Sequence, residues 1–416
     1  MCDGGQLTND AGLSMLFEFC HRLHFDQLLR QTVHFVDRRK FATASYAEIY
    51  FQKILLGMAG YRHDVHANDF QCDPALTAIL GKQSLVSQPS MSRFFAMIIP
   101  ENLNELREML WQVAAKAFQF TGQRQFVLDI DSTHLDTYGH QEATAFNAHY
   151  VAKGYHPQVV LDNTSSTLLD ACVRPGNTYT GKDADQFIQR TFDHLEELDP
   201  SVEVVVRGDS GFAVPTFYEA CTSRSFYFIV RLKANQRLKK MGDEAIASVP
   251  IDDEADQVVY HELDYQAASW KDHYRVVMCS EHTAGELLWT HTFLVTNMVE
   301  SPAAVLFPAY QGRGNVENDI KELKSGFGFD QTDSSTFVRN TARELISGIA
   351  YNLIQLFKVC LIPEDPRVTI DTLRFRLFHI AGRVTRHAGK ISLHLASNYA
   401  SRNWFWDLLA RIQKLL

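Results

Sequence analysis

The 416 residues suffice for two or three domains, and a hydrophobic share of 46% without a long low-complexity tract describes a globular chain. A net charge of -9 excludes a polycation that binds nucleic acid through its whole surface, so any such binding must come from local patches. No run of about 20 apolar residues is free of charge, and the start MCDGGQLTND lacks a basic region followed by an apolar core, so neither a membrane span nor a leader is expected. The cysteines, Cys2, Cys20, Cys72, Cys172, Cys221, Cys279 and Cys360, are scattered without CxxC spacing. That argues against a zinc site or a disulfide framework and for a reducing cytoplasm.

Residues 1–122 read as helical, with apolar positions recurring at three and four in DAGLSMLFEFCHRLHFDQLL, SYAEIYFQKILLGMAGY and ENLNELREMLWQVAAKAFQF. Between them, PALTAILGKQSLVSQPSMSRFFAMI resembles helix, turn, helix, with Ser90 or Ser92 as N-cap and Arg93 near the second helix's beginning. A helix N-terminus that reaches DNA with a serine and an arginine fits this segment. A plain helical hairpin in a bundle fits it equally.

The pattern changes at Gln125. QFVLDIDS is a β-rich run ending in acids, HPQVVLDN and TLLDACVRP alternate like strands, and GKDADQFIQRTFDHLEEL is an amphipathic helix. VEVVVRGDSGF then reads as a buried strand stopping at an acid, VPTFYEACTSRS as helix and FYFIVRLK as strand. The order β-β-β-α-β-α-β over residues 123–232 is that of an RNase H-like mixed sheet, not a dinucleotide-binding repeat. Residues 233–308 look like a β-rich insertion, a small antiparallel sheet apart from the catalytic scaffold. Residues 309–340 return to the core, and 341–416 read as a helical region whose basic residues, Arg367, Arg374, Arg376, Arg383, Arg386, Lys390, Arg402, Arg411 and Lys414, opposed after residue 366 only by Asp371 and Asp407, form a local cationic patch.

Three acids stand out. Asp131 closes VLDID and Asp209 follows VEVVVRG, and in an RNase H-like sheet those two strands are neighbours. Asp129 competes with Asp131 for the first place, and an aspartate at a strand end is ordinarily a turn former or cap. Tyr310, Arg313, Glu317 and Lys324 recur along one face if a single helix carries them, bracketing an acid with two cations and a phenol. Such a stripe suits a phosphodiester beside a divalent metal, although a charge-laced surface helix has the same spacing. Glu317 would complete a carboxylate cluster suited to two Mg²⁺ ions, with Mn²⁺ as substitute. Asp162 and Asp170 are expected to be solvated. His134, His140, His149 and His156 lack metal-binding spacing and read as polar contacts near the site.

Asp131-Ser132-Thr133, RGDSGF around Asp209 and the spacing from Tyr310 through Arg313 and Glu317 to Lys324 resemble the motifs of IS4-like DDE transposases. The YGHQE, GYHP and IKELKSGFG segments look most like the IS1380 family of bacterial insertion sequences. The resemblance implies a cut-and-paste enzyme acting on the inverted-repeat ends of double-stranded DNA, whose freed 3′-hydroxyl would attack target DNA in strand transfer, with a homodimer in the synaptic complex. It implies Asp131, Asp209 and Glu317 as metal ligands, Arg313 and Lys324 on DNA phosphates, and Tyr310 near the scissile bond. A structure-selective nuclease, or a transposase-derived DNA-binding protein with a vestigial site, would share much of this sequence. A carboxylate-pair glycosidase would not explain the cations around Glu317.

Overall fold

The computed structural model describes residues 3–37 and 39–415, so Cys2 lies outside the described residues. In chain order the main elements are α1 (Leu13–Arg22), α2 (Phe25–Thr32), α3 (Tyr46–Met58), α4 (Gln88–Ala96), α5 (Pro100–Thr121), β1 (Gln125–Ser132), β2 (Gln158–Asp162) and β3 (Thr167–Cys172). There follow α6 (Ala184–Leu198), β4 (Glu203–Gly208), α7 (Pro215–Thr222), β5 (Tyr227–Leu232), α8 (Gln236–Ile246), β6 (Gln257–Leu263), β7 (Arg275–His282) and β8 (Thr290–Thr296). The chain continues with α9 (Ala303–Gln311), α10 (Gly314–Phe327), α11 (Phe337–Leu361), β9 (Gly382–His387), β10 (Lys390–Leu395) and α12 (Arg402–Ile412). Two compact units result. One holds the chain up to Gly122, Leu135–Thr144 and the chain from Ile320 onward; the other holds Gln123–His134 and Ala145–Asp319.

The helical unit joins the expected N-terminal and C-terminal helical regions around α11, which packs on α5 and α3. Its helices stop and start where local chemistry dictates. Ser45 and Glu48 form a reciprocal capping box at α3, and α5 begins at Pro100 and ends at Gly122 with φ +68°. Ser90 and Ser92 are not caps, because α4 starts a turn earlier with Ser87 at the cap position; Arg93 lies within the helix and donates to Ser90 Oγ at 3.3 Å. The C-terminal region is not wholly helical either. Gly382–His387 and Lys390–Leu395 pair as an antiparallel hairpin around Ala388 and Gly389, both with positive φ. Two of its basic residues are spent internally: Arg374 donates to the carbonyls of Gly57, Met58 and Gly326, and Arg411 to that of Leu361.

Helix α11 is the one described helix long and apolar enough to cross a membrane, and its apolar stretch is mostly buried. Its Arg343 donates to Asp64 Oδ2 at 2.6 Å and lies 3.8 Å over the Phe95 ring, while Lys53 Nζ meets Asp64 Oδ1 at 2.8 Å. One carboxylate thus neutralises two buried cations from different helices.

The second unit is built on one eight-stranded sheet in the order β6-β7-β8-β5-β4-β1-β2-β3. β1, β2 and β3 are antiparallel neighbours, and β4 and β5 add in parallel beside β1, which is the order expected for the RNase H-like core. The strands of residues 233–308 are antiparallel as anticipated, yet they do not form a sheet of their own. β8 pairs with β5, so residues 233–308 extend the core sheet by three strands. On one face Tyr218 of α7 stacks on Phe228 at 4.8 Å. On the other, Leu306 and Phe307 of α9 pack with Ile229, Val277 and Leu294. Burial of each such side chain is worth roughly 2–3 kcal/mol and clamps α9 across the sheet.

Asp64→Asn is expected to cost about 3–5 kcal/mol in urea unfolding, because it strands Lys53 and Arg343 in the interior. Although burial pushes the other way, Lys53 and Arg343 hold the Asp64 carboxyl at about 2, below its ordinary value of 3.8. Its contribution is therefore present above about pH 4 and lost as pH falls from there toward 2, a loss the variant should not share.

Candidate active site

β1 alternates sides. Phe126, Leu128 and Ile130 are buried apolar, while Asp129 and Asp131 share the opposite face with the α9 packing. In the parallel register Asp129 lies beside Arg207 and Ile130 beside Gly208, so Asp131 and Asp209 follow at adjacent strand ends on one face. The two aspartates of β1 have different partners and hence different roles.

Asp129 is fully buried and forms a two-pronged ion pair with Arg207, Nε to Oδ1 at 2.8 Å and Nη2 to Oδ2 at 2.6 Å. Asn163 Nδ2 donates to the same carboxylate at 3.0 Å. The remaining arms reach the helix above: Arg207 Nη1 donates to Ala309 O at 2.5 Å and Asn163 Nδ2 to Gly312 O at 3.3 Å. A continuous helix would use those two carbonyls for the amides of Arg313 and Val316. Instead Arg313 N bonds Tyr310 O at 2.9 Å and Val316 N bonds Arg313 O at 3.0 Å, a tight turn that separates α9 from α10. Gly312 suits the joint, since an added Cβ would lie 2.9 Å from Arg207 Nη1.

The single helix expected to carry Tyr310, Arg313, Glu317 and Lys324 on one face is therefore broken. Tyr310 lies in the last turn of α9, Arg313 sits in the joint, and Glu317 and Lys324 occupy the first and last turns of α10, with Lys324 falling in the helical unit. The joint aims Arg313 inward: its Nη2 lies 3.0 Å from Asp131 Oδ2 and 3.4 Å from Ile130 O. Tyr310 packs at the edge of the α9 cluster, and its phenol is raised by burial and by the charges of Asp209 and Asp131 despite Arg313 and Arg231.

Asp131 is pushed up to about 6 chiefly by burial, with Asp209 adding repulsion and Arg313 and the Ser132 amide partly compensating. Asp209 caps the short turn Ser210–Phe212, its Oδ1 accepting from Gly211 N at 2.9 Å. Glu317 is exposed, and no three of the acids, histidines or cysteines gather as a metal cage among the described residues. The structure thus brings Asp131, Asp209, Arg313 and Tyr310 together and leaves Glu317 outside that group. Two carboxylates whose negative charge draws in a guanidinium are hard oxygen donors of the type Mg²⁺ and Mn²⁺ prefer, so these residues fit such ions.

Other expectations change. Asp162 and Asp170 are buried, not solvated; Asp162 accepts from Gln123, from Ser165 N and from Ser165 Oγ, holding the hairpin between β2 and β3. Arg207 and Asn163 were not singled out by motif, although an arginine inside the apolar run VEVVVRG was a visible sign of a buried partner.

A mixed sheet with two aspartates at neighbouring parallel strand ends, one of them paired with an arginine, offers the group types that phosphoryl transfer uses. Over residues 1–416 the chain matches the family described as Transposase DDE domain group 1 and belongs to it, so it is a DDE transposase, an enzyme that cleaves DNA and transfers the strand. No curated protein matches the chain. Among solved structures it is similar to the piggyBac transposase synaptic complex with hairpin DNA, at 12% identity over 98% of this chain and 86% of that one, with a TM-score of 0.49. It is also similar to the Mos1 transposase paired-end complex with left transposon end, at 13% identity over 52% and 74%, with a TM-score of 0.19.

Asp129→Asn should lower stability by about 3 kcal/mol, leaving Arg207 buried without its counter-charge. Asp131→Asn should not. Since the folded-state value of about 6 lies above the ordinary 3.8, the Asp131 contribution declines as pH rises from about 4 to 6. Thermal unfolding at pH 7.5 should therefore find this variant at least as stable as wild type.

Proposed function

We propose that the chain is the cut-and-paste transposase of a bacterial insertion sequence of the IS4-like group, nearest the IS1380 family, acting in the cytoplasm on the inverted-repeat ends of its own element. The observation that carries this reading is the placement of Asp131 and Asp209 at adjacent ends of parallel strands with Arg313 between them and the helix joint. Asp131, Asp209 and Glu317 are the proposed ligands of two divalent ions, Mg²⁺ or Mn²⁺, which when bound stabilise the attacking and leaving oxygens of an in-line displacement.

Glu317 lies in the first turn of α10, four residues after Arg313, and the tight joint before that helix is where a small change of turn would carry its carboxylate toward the aspartates. Arg313 neutralises the pair and then serves the non-bridging oxygens of the phosphate, for which its planar fork is shaped. Tyr310, beside Arg313, limits where the strand lies. Lys324, whose ammonium is lowered by burial, contacts phosphate of the transposon end, and Ser90 and Arg93 on α4 meet its duplex. The chain acts as a homodimer that pairs two ends in the synaptic complex. Attack comes first from water and then from the freed 3′-hydroxyl, so no protein nucleophile is required.

Incubation with Mg²⁺ and DNA carrying the repeats that flank the gene should yield joined products; nicks without joining would mean a nuclease, and a gel shift alone a binding protein. Asp131→Ala, Asp209→Ala and Glu317→Ala should each abolish cleavage while sparing DNA binding. Substantial cleavage by any one removes that residue from the triad. Lys324→Ala should weaken end binding and reduce the salt slope by about 0.9, and an unchanged slope would count against its phosphate contact.

A further inference from the structure

Beside the acidic site lies a group of rings that the metal reading does not use. The strand that ends at Asp131 and Ser132 runs on through Thr133 to His134, whose ring stacks on Tyr150 with centroids 5.1 Å apart at 25°. His149 meets the same ring edge-on at 4.8 Å, and His156 approaches it at 6.0 Å. His156 is itself held in place, with its Nδ1 2.9 Å from Thr178 O.

The backbone presents Tyr150 outward. Buried Asn147 accepts the amides of His149 and Tyr150 on its Oδ1, at 2.9 and 3.2 Å, and donates from Nδ2 to Gly176 O at 2.8 Å. The next residue, Val151, has φ +52°, a left-handed conformation that β-branched residues rarely adopt. Tyr150 nevertheless remains 41% exposed. After burial of the rest of the ring, the charges that raise its phenol are those of Asp131 and Asp209, so it lies within electrostatic reach of both.

We propose that Tyr150, backed by His134 and steadied by His149 and His156, is a stacking platform for an unpaired nucleobase of the DNA held at Asp131 and Asp209. This rests on reading those aspartates as the place where the phosphodiester sits, since that is what brings a base to the ring. The ligand is a base because the cluster offers an aromatic face and not a fork of donors, and a face accepts any base. It is an unpaired base because within a duplex both faces of a base are covered by its neighbours.

The test uses a duplex with a four-nucleotide single-stranded overhang that carries 2-aminopurine, in Ca²⁺ so that binding is read without cleavage. Wild type should quench the fluorophore, and Tyr150→Phe and Tyr150→Trp should do the same. Tyr150→Ala, and Tyr150→Leu, which keeps bulk without an aromatic face, should lose the quenching and bind the overhang about 5- to 150-fold more weakly. Both should bind a blunt duplex as wild type does, which also shows that they fold. Equal quenching by wild type and Tyr150→Leu overturns the proposal, as does binding by wild type without quenching. The underlying reading fails separately: if Asp131→Ala and Asp209→Ala still cleave element ends, the site is misassigned whatever the fluorescence shows.

Discussion

The buried pair between Asp129 and Arg207 organises this site. It joins two neighbouring strands at matched register, and its spare donor reaches the carbonyl of Ala309, while Asn163 links the same carboxylate to Gly312. Withdrawing those two carbonyls from the helical ladder converts what would be one long helix into two with a joint. The gain is direction, because the joint turns Arg313 onto Asp131. A hydrophobic pair at the same positions would pack as well and could not do this, since it has no donor left over for the helix.

That arrangement separates structure from chemistry within one strand. Asp129 has a guanidinium and a side-chain amide for partners and almost no exposure, whereas Asp131, two residues on, has one guanidinium, the Ser132 backbone amide and the repulsion of Asp209. The first is satisfied by protein groups. The second retains an unspent demand for positive charge, which is the electrostatic condition for taking up a cation.

Much of the fold was legible. The strand order, the amphipathic α6 and the acids that close β1 and β4 follow from period-two and period-three-to-four patterning, because burial on a sheet face or a helix stripe is what those patterns encode. The failures have a common cause. The break after Gln311 and the loss of Arg374 and Arg411 from the cationic patch come from side chains bonding to backbone groups remote in sequence, while Asp162 is buried with Gln123, which lies 39 residues away. Local periodicity carries no record of such bonds. The hairpin at β9 and β10 escaped for a different reason: its turn is Ala388-Gly389, weaker as a signal than asparagine-glycine.

By itself the sequence determined the family, the order of strands in the mixed sheet and the placement of Asp131 and Asp209, since these depend on residue type and on the two-residue repeat of a strand. Only the tertiary structure decided which aspartate of β1 is spent on Arg207, that β6, β7 and β8 continue the core sheet, and that the stripe from Tyr310 to Lys324 is jointed. Those outcomes turn on which donors and acceptors meet across the fold, and a buried polar group's role is set by the partner it finds.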